Sequence, residues 1–385
     1  MKILMRGATD PLQNMEPSKF IIENRTGGNV GNMLFTNAIS KTLLVDDDTS
    51  IDYIDVRKVK RNRAYADYVN ENYDCFLIPL ANAFKWTGHE ELKMIADFVK
   101  MLKIPCCIIG VGIQSFLTTE NFKDIYPYND DVKDMIKSVL DKSPIIGVRG
   151  EATAHYLTQL GFIPEKDFTV IGCPSMFTYG AELPKIENDI LTQDSVVAFN
   201  SKIEFEGKNA YEPVVELFKR SFKEFPNYVY IQQQIDDVRM TYLDSLHNER
   251  RDSKIYDLDK AVAFTNVPSW INYFKENVDF SFGSRIHGNV AAILGGVPAV
   301  AVPYDWRVYE LCDYHNIPMI KYDEIDESTN LYDIFEKADF SAIYRGHKER
   351  FDHYIDFLHT LGLDTIYDHK YEGDTPYEKT LKSRD

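Results

Sequence analysis

Long uncharged apolar runs, a basic excess and paired cysteine spacings are all missing from this chain of 385 residues. No window approaches the ~18 or more apolar residues that a membrane-spanning helix needs. The opening stretch MKILMRGATDPL is too short in apolar residues for a secretory signal, so a cytoplasmic protein is expected. The 43 Lys and Arg are outnumbered by 60 Asp and Glu, which leaves a formal net charge of −17. Such a chain lacks the basic surface that nucleic-acid phosphates require, so no nucleic-acid partner is expected. An anionic ligand would need a local cluster of cations working against the global field. The five cysteines, at 75, 106, 107, 173 and 312, are odd in number and show no C-x-x-C spacing, and H-x-x-x-H is also absent. Buried free thiols in a reducing compartment are expected, with no metal and no cofactor. The acidic VDDDTS at 45–50 fits a solvated loop better than a metal site. A G-x-x-x-x-G-K-[ST] loop is also missing, which argues against a Walker-type nucleotide site.

What remains is an ordinary globular composition, 44% hydrophobic and 27% charged, in a chain long enough for two or three domains. Strand and helix signals alternate along it. Residues 19–24, 73–80, 105–114, 144–150 and 167–174 have the short apolar look of strands. Segments 31–44, 89–103, 130–142 and 151–161 have apolar residues at helical spacing. A stretch without periodicity, 175–194, reads as a linker. A second series follows, with strands at 195–200, 228–233, 278–283 and 298–303 and helices at 212–225, 268–277, 286–296 and 307–316. Repeated β-then-α order implies parallel sheets covered on both faces. The expected fold is α/β, two doubly wound Rossmann-like domains facing a cleft in the GT-B arrangement. The domains are placed at 1–180 and 190–345. Residues 346–362 form a late helix expected to cross back to the first domain, and the polar tail from Leu363 is expected to be mobile.

In open α/β sheets ligands bind beyond the carboxyl ends of strands, so the residues that follow strands are the candidates. NRTGGNVGN at 24–32 offers Gly28, Asn29 and Asn32 in a glycine-rich turn before a helix, either a site for an anion or a plain tight turn. GVGIQS at 110–115 offers Gly112 and Gln114, or a simple bulge. GVRGE places Arg149 where a strand becomes a helix, suited to phosphate or carboxylate, or to pairing with a surface acid such as Glu151. The stretch SFGSRIHGNVAAILGGVPAVAVPYD, 281–305, puts Ser284, Arg285, His287 and Gly288 at a strand end, and Tyr304 and Arg307 come after the next strand. A histidine there can exchange protons near neutral pH, and two arginines nearby favour a chemical role over a structural one.

GVRGEATAHYLTQLG, VIGCPSMF and the 281–305 stretch together resemble the polysaccharide pyruvyl transferase family, over roughly residues 20–325. The most specific part is the late S-x-R-x-H-x-x-x-x-A-x-x-x-x-G-x-P pattern, in which Arg285, His287, Ala292 and Pro298 fall in register. The TGGNVGN loop is similar to the family's N-terminal loop more weakly. Two positions depart from the pattern: Thr153 stands where Ser is common, and Trp306-Arg307 where a Lys often follows PYD. The resemblance implies transfer of a pyruvyl group from phosphoenolpyruvate to two hydroxyls of a sugar, forming a cyclic ketal and releasing phosphate. On that basis Arg149, Arg285 and Arg307, with Ser284 and Gly288, would hold the donor, and His287 with Arg285 would be catalytic. The acceptor would be a sugar or a lipid-linked oligosaccharide. A lipid-linked acceptor would bring the chain to the inner membrane face without insertion.

A different reaction class shares the architecture. Glycosyltransferases that use nucleotide sugars have a similar Gly-rich turn followed by an acid on the ribose, here Glu310 in GGVPAVAVPYDWRVYE. A non-enzymatic scaffold in polysaccharide assembly is the third reading, against which the presence of Arg285 and His287 argues.

Overall fold

The computed structural model describes residues 1–7, 9–24, 26–59, 62–118, 120–201, 212–243 and 257–384. The N-terminal half carries strands β1 (Lys2–Arg6), β2 (Ser50–Ile54), β3 (Cys75–Pro79), β4 (Cys106–Ile109), β5 (Ile146–Val148) and β6 (Phe168–Val170). They lie in the order β2-β1-β3-β4, and β5-β6 continue the layer through a bridge between Val111 and Val148. The C-terminal half carries β7 (Val197–Phe199), β8 (Val229–Ile231), β9 (Ala261–Val262), β10 (Phe280–Gly283) and β11 (Ala299–Ala301), in the order β11-β10-β7-β8-β9. Every strand pairing is parallel. Central strands such as CFLIP and CCII are buried along their whole length, as a sheet covered on both faces requires. All five cysteines are buried and free. The fold is therefore α/β with two doubly wound parallel sheets. No helix among the described residues is long and apolar enough to cross a membrane.

Strand order reverses between β1 and β3 in one sheet and between β7 and β10 in the other. These are the two switch points where crevices open beyond the strand ends. A single apolar cluster runs between the halves. It joins Phe20, Val30, Met33, Leu34 and Phe35 with Ile231, Trp270, Val290 and Leu311.

Three expectations fail. Residues 19–24 are not a strand: the chain is helical over Pro17–Glu23, with Pro at the first turn and Phe20 and Ile21 buried on one face. Proline pre-sets the helical φ there and gives up only an amide that has no intrahelical partner. The first strand is instead KILMR, and the edge strand β2, half-polar on its open side, was not expected at all. The segment 175–194 does not begin as a linker, because Pro174–Phe177 form a fully buried 3₁₀ turn and the irregular stretch starts beyond it. The tail after Leu363 is docked, not loose. Its helix Pro376–Lys382 starts with a capping box at Thr375, and the Tyr377 hydroxyl donates to Asn37 Oδ1 at 2.7 Å. Before it, the helix His347–Thr360 lays Phe351, Tyr354, Phe357 and Leu358 against Ile3, Met5, Leu77 and Ile109 of the N-terminal sheet.

Candidate active site

Arg149 leaves the end of β5 with its amide donating to Val111 O at 2.8 Å, so the turn is tied to the neighbouring strand. Its side chain is fully buried. Only Nη2 has a partner, the Leu80 carbonyl at 3.4 Å, while Nε and Nη1 have none. The guanidinium lies 6.0 Å from the Phe35 ring centroid. A buried cation this poorly compensated is costly, and an anion placed against it would remove much of that cost.

His287 also packs against Phe35, ring centroids 5.8 Å apart, in the first turn of the helix Ile286–Leu294. Its Nε2 lies 4.0 Å from the Cys173 thiol. A Cβ built on Gly31 would fall 2.8 Å from both Cβ and Nδ1 of His287, so only glycine lets the N-terminal loop approach this ring. Burial, and then the charges of Arg149 and Arg307, hold the His287 pKa well below the ordinary imidazole value. The ring is thus neutral near pH 7 when no anion is present.

Arg307 opens the helix Trp306–His315. Its Nη2 donates to the Tyr304 hydroxyl and lies 3.4 Å from Asp305 Oδ2, while Nε is buried without a partner. Burial opposes its charge, but Asp305 and Tyr304 outweigh burial and raise its pKa. Arg149, His287 and Arg307 are therefore brought together from three separate strand ends.

Arg285 is not part of that group. Its Nε donates to Ser201 O at 3.3 Å, its Nη2 is 3.6 Å from Asp237 Oδ2, and its Nη1 donates at 2.8 Å to Gln234 once that amide is turned to present its oxygen. Ser284 is buried, and its amide donates to Ser201 Oγ at 3.0 Å. Gly288 packs where a Cβ would meet Asn200 at 2.7 Å. The loop with Gly28 and Asn29 is stapled across to the end of β8: Val30 N donates to Gln233 O, and Ile235 N to Gly28 O. Asn32 holds the same loop closed through Thr26 O at 2.7 Å. Gln114 accepts from Asn82 at 2.9 Å and so acts through that residue. Gly112 leaves space for Arg149, and a Cβ there would also lie 3.0 Å from Glu310 Oε1.

Sequence reasoning missed a cavity in the N-terminal half. It holds about 920 Å³ of empty space, counting its open mouth, and lies at the β1/β3 switch point. Arg6, Arg57, Lys85, Asn82, Thr26 and Phe35 are in its wall. Arg6 ends β1 as Arg149 ends β5, so the same strand-end signal was present once residues 2–6 are recognised as a strand. Glu310 also has an unexpected place. Both its oxygens take hydrogen bonds from Thr153, in the helix that follows Arg149.

Comparison with known proteins bears on the class of chemistry. Among curated proteins none is similar enough to count as a match. Similar solved structures include the UDP-GlcNAc 2-epimerase of Neisseria meningitidis bound to UDP-GlcNAc, at 11% identity and a TM-score of 0.43, covering 100% of this chain and 99% of that one. The Anabaena HepE protein in complex with UDP-glucose has 11% identity and a TM-score of 0.46, with 100% of both chains covered. The S. aureus MnaA–UDP structure has 11% identity and a TM-score of 0.44, covering 94% of this chain and 97% of that one. The polysaccharide pyruvyl transferase family model matches residues 29–305, a span that contains Arg149 and His287 and ends two residues before Arg307, and the chain belongs to that family.

Proposed function

We propose that the protein transfers a pyruvyl group from phosphoenolpyruvate to two hydroxyls of a sugar in a surface polysaccharide or its precursor, giving a cyclic ketal and phosphate. One observation carries this reading above the others. In a chain of net charge −17, a fully buried and under-bonded Arg149, together with Arg307, acts electrostatically on His287. Phosphoenolpyruvate has two anionic ends, and two arginines flanking a proton-transfer group suit it.

The donor lies between Arg149 and Arg307, offsets their charges and brings its own negative charge to the buried ring, which raises the proton affinity of His287. His287 then takes up a proton and delivers it to the methylene carbon, which becomes a methyl group, while C2 becomes oxocarbenium-like. One sugar hydroxyl attacks C2, and the C2–O bond to phosphate breaks. The second hydroxyl closes the ring. Of the two hydroxyl protons, one restores His287 and the other leaves on phosphate. Arg285, set against Asp237 and Gln234, is assigned to holding the loop over β8 in this reading. The acceptor occupies the N-terminal cavity, and the reaction takes place in the cytoplasm, at the inner membrane face when the acceptor is lipid-linked.

Thermal melting of the purified chain with phosphoenolpyruvate, with UDP-sugars in parallel and Arg149→Gln as control, tests the reading. Binding to the folded state raises the midpoint. The expected result is a shift with phosphoenolpyruvate that Arg149→Gln abolishes. A shift with a UDP-sugar alone would replace pyruvyl transfer with glycosyl transfer.

A further inference from the structure

The cavity at the β1/β3 switch point contains more cationic chemistry than the proposed donor uses. Its wall holds Arg6, Arg57 and Lys85 against two carboxylates, Asp55 and Glu91. Each carboxylate is already taken. Arg57 grips Asp55 through Nε at 2.8 Å and Nη2 at 2.9 Å, and Arg6 Nη2 pairs with Glu91 while its Nη1 donates to Pro79 O at 3.0 Å. Lys85 is the cation left over. Its stem lies over Gly88, where a Cβ would be 3.0 Å from Cε, and no hydrogen bond or ion pair within 4.0 Å reaches its ammonium among the described residues. Burial lowers its pKa, Glu91 opposes that, and Arg307, Arg6 and Arg57 add to it. Three further polar groups in the same wall, Arg6 Nε and the hydroxyls of Thr9 and Thr26, are buried without partners.

We propose that this cavity is a second anion subsite, and that the sugar acceptor carries an oxyanion, as a phosphate ester or a uronate, which pairs with Lys85 and is completed by Thr9 and Thr26. The inference rests on the pyruvyl-transfer reading and narrows its acceptor to an anionic saccharide. Arg6 and Arg57, paired with Glu91 and Asp55, are not free to swing onto the ligand and leave Lys85 as the net positive charge of the wall.

Isothermal titration of the full chain tests it with glucose 1-phosphate, glucuronate and glucose, each on the parent protein, Lys85→Met and Lys85→Arg. Phosphoenolpyruvate is titrated on the same preparations. The parent should bind at least one anionic sugar about tenfold more tightly than glucose; Lys85→Met should erase that preference and Lys85→Arg retain most of it. Which anionic sugar binds distinguishes a phosphate ester from a uronate. Phosphoenolpyruvate affinity should stay within about twofold in Lys85→Met, since its contacts lie at Arg149 and Arg307. If neither anionic sugar outbinds glucose, the subsite is refuted whatever the donor does. If Lys85→Met weakens phosphoenolpyruvate as much as the anionic sugar, Lys85 belongs to the donor and the subsite is refuted too. Failure of phosphoenolpyruvate alone to bind would strike the donor reading, and the sugar preference would still decide the subsite.

Discussion

The carboxyl group of Glu310 takes the Thr153 amide at 3.0 Å and the Thr153 hydroxyl at 2.9 Å, so a residue of the C-terminal half satisfies a free N–H in the first turn of the helix that follows Arg149. That hydroxyl in turn accepts from Ile113 N at 2.9 Å. A Cβ on Gly150 would stand 2.6 Å from Glu310 Cβ, so the turn carrying Arg149 is shaped to receive this side chain. The two halves of the site are thereby locked together through one carboxyl.

Burial pushes the Glu310 pKa up to about 8 from the ordinary 4.5, against the pull of the Thr153 hydrogen bonds and Arg149. A group with a raised folded pKa contributes stability that is full below its unfolded pKa and is lost as pH rises through the folded one. Glu310→Gln cannot titrate. Melting curves should therefore show the Tm of the variant gaining on the parent between about pH 5 and pH 8. A constant difference across that range would mean the carboxyl ionises normally in the fold.

His287 has the opposite sign. Its folded pKa is depressed, so its contribution is present above the ordinary value of 6.5 and is lost as pH falls below it. His287→Gln should flatten the acid side of the stability profile. In assays of phosphate release with acceptor present, the same variant should lose about 10²- to 10⁴-fold in kcat while still binding phosphoenolpyruvate. Full activity in His287→Gln would remove the histidine from the proton transfer.

The three arginines should separate by position. Arg149→Gln and Arg307→Gln are expected to abolish the thermal shift produced by phosphoenolpyruvate. Arg285→Ala should leave the shift in place but lower the starting stability by about 1–3 kcal/mol, through its lost bonds to Gln234, Asp237 and Ser201. A shift lost in Arg285→Ala and kept in Arg307→Gln would reverse these assignments.

Gly31→Ala forces a methyl group to within 2.8 Å of His287 and 2.9 Å of Asn29 Oδ1. Overpacking of this kind destabilises by about 1–3 kcal/mol, and here it also displaces the proposed acid. Denaturant melts and phosphate-release assays should both register the change. An active variant of parental stability would show that the loop yields freely.

Much of the site was legible because strand ends announce themselves. An apolar run that stops at Gly-Val-Arg-Gly or Gly-Ser-Arg places its polar residue at a sheet's carboxyl edge whatever the rest of the chain does. Arg149, His287 and Arg307 were singled out as candidates that way. Arg6 was missed only because KILMR is a short strand with a charge at each end and so did not register as one. The helix Pro17–Glu23 was misread because three adjacent apolar residues look the same in a short strand and a short helix, and the proline three residues before them was the deciding signal.

The sequence by itself determined the alternation of strand and helix, the two parallel sheets and the loops that end at their edges, since hydrophobic period and turn residues act locally. The tertiary structure alone decided which strand-end side chains meet. Arg285 and His287 are two residues apart, yet one turns to Asp237 and Gln234 and the other faces Phe35, because successive residues at a helix start point in different directions. Glu310 and Thr153 are 157 residues apart and share hydrogen bonds because the two sheets close on one another. The leftover charge of Lys85 is likewise visible only after Arg57 has taken Asp55 and Arg6 has taken Glu91. Pairing at a distance is set by packing, and no local pattern in the chain encodes it.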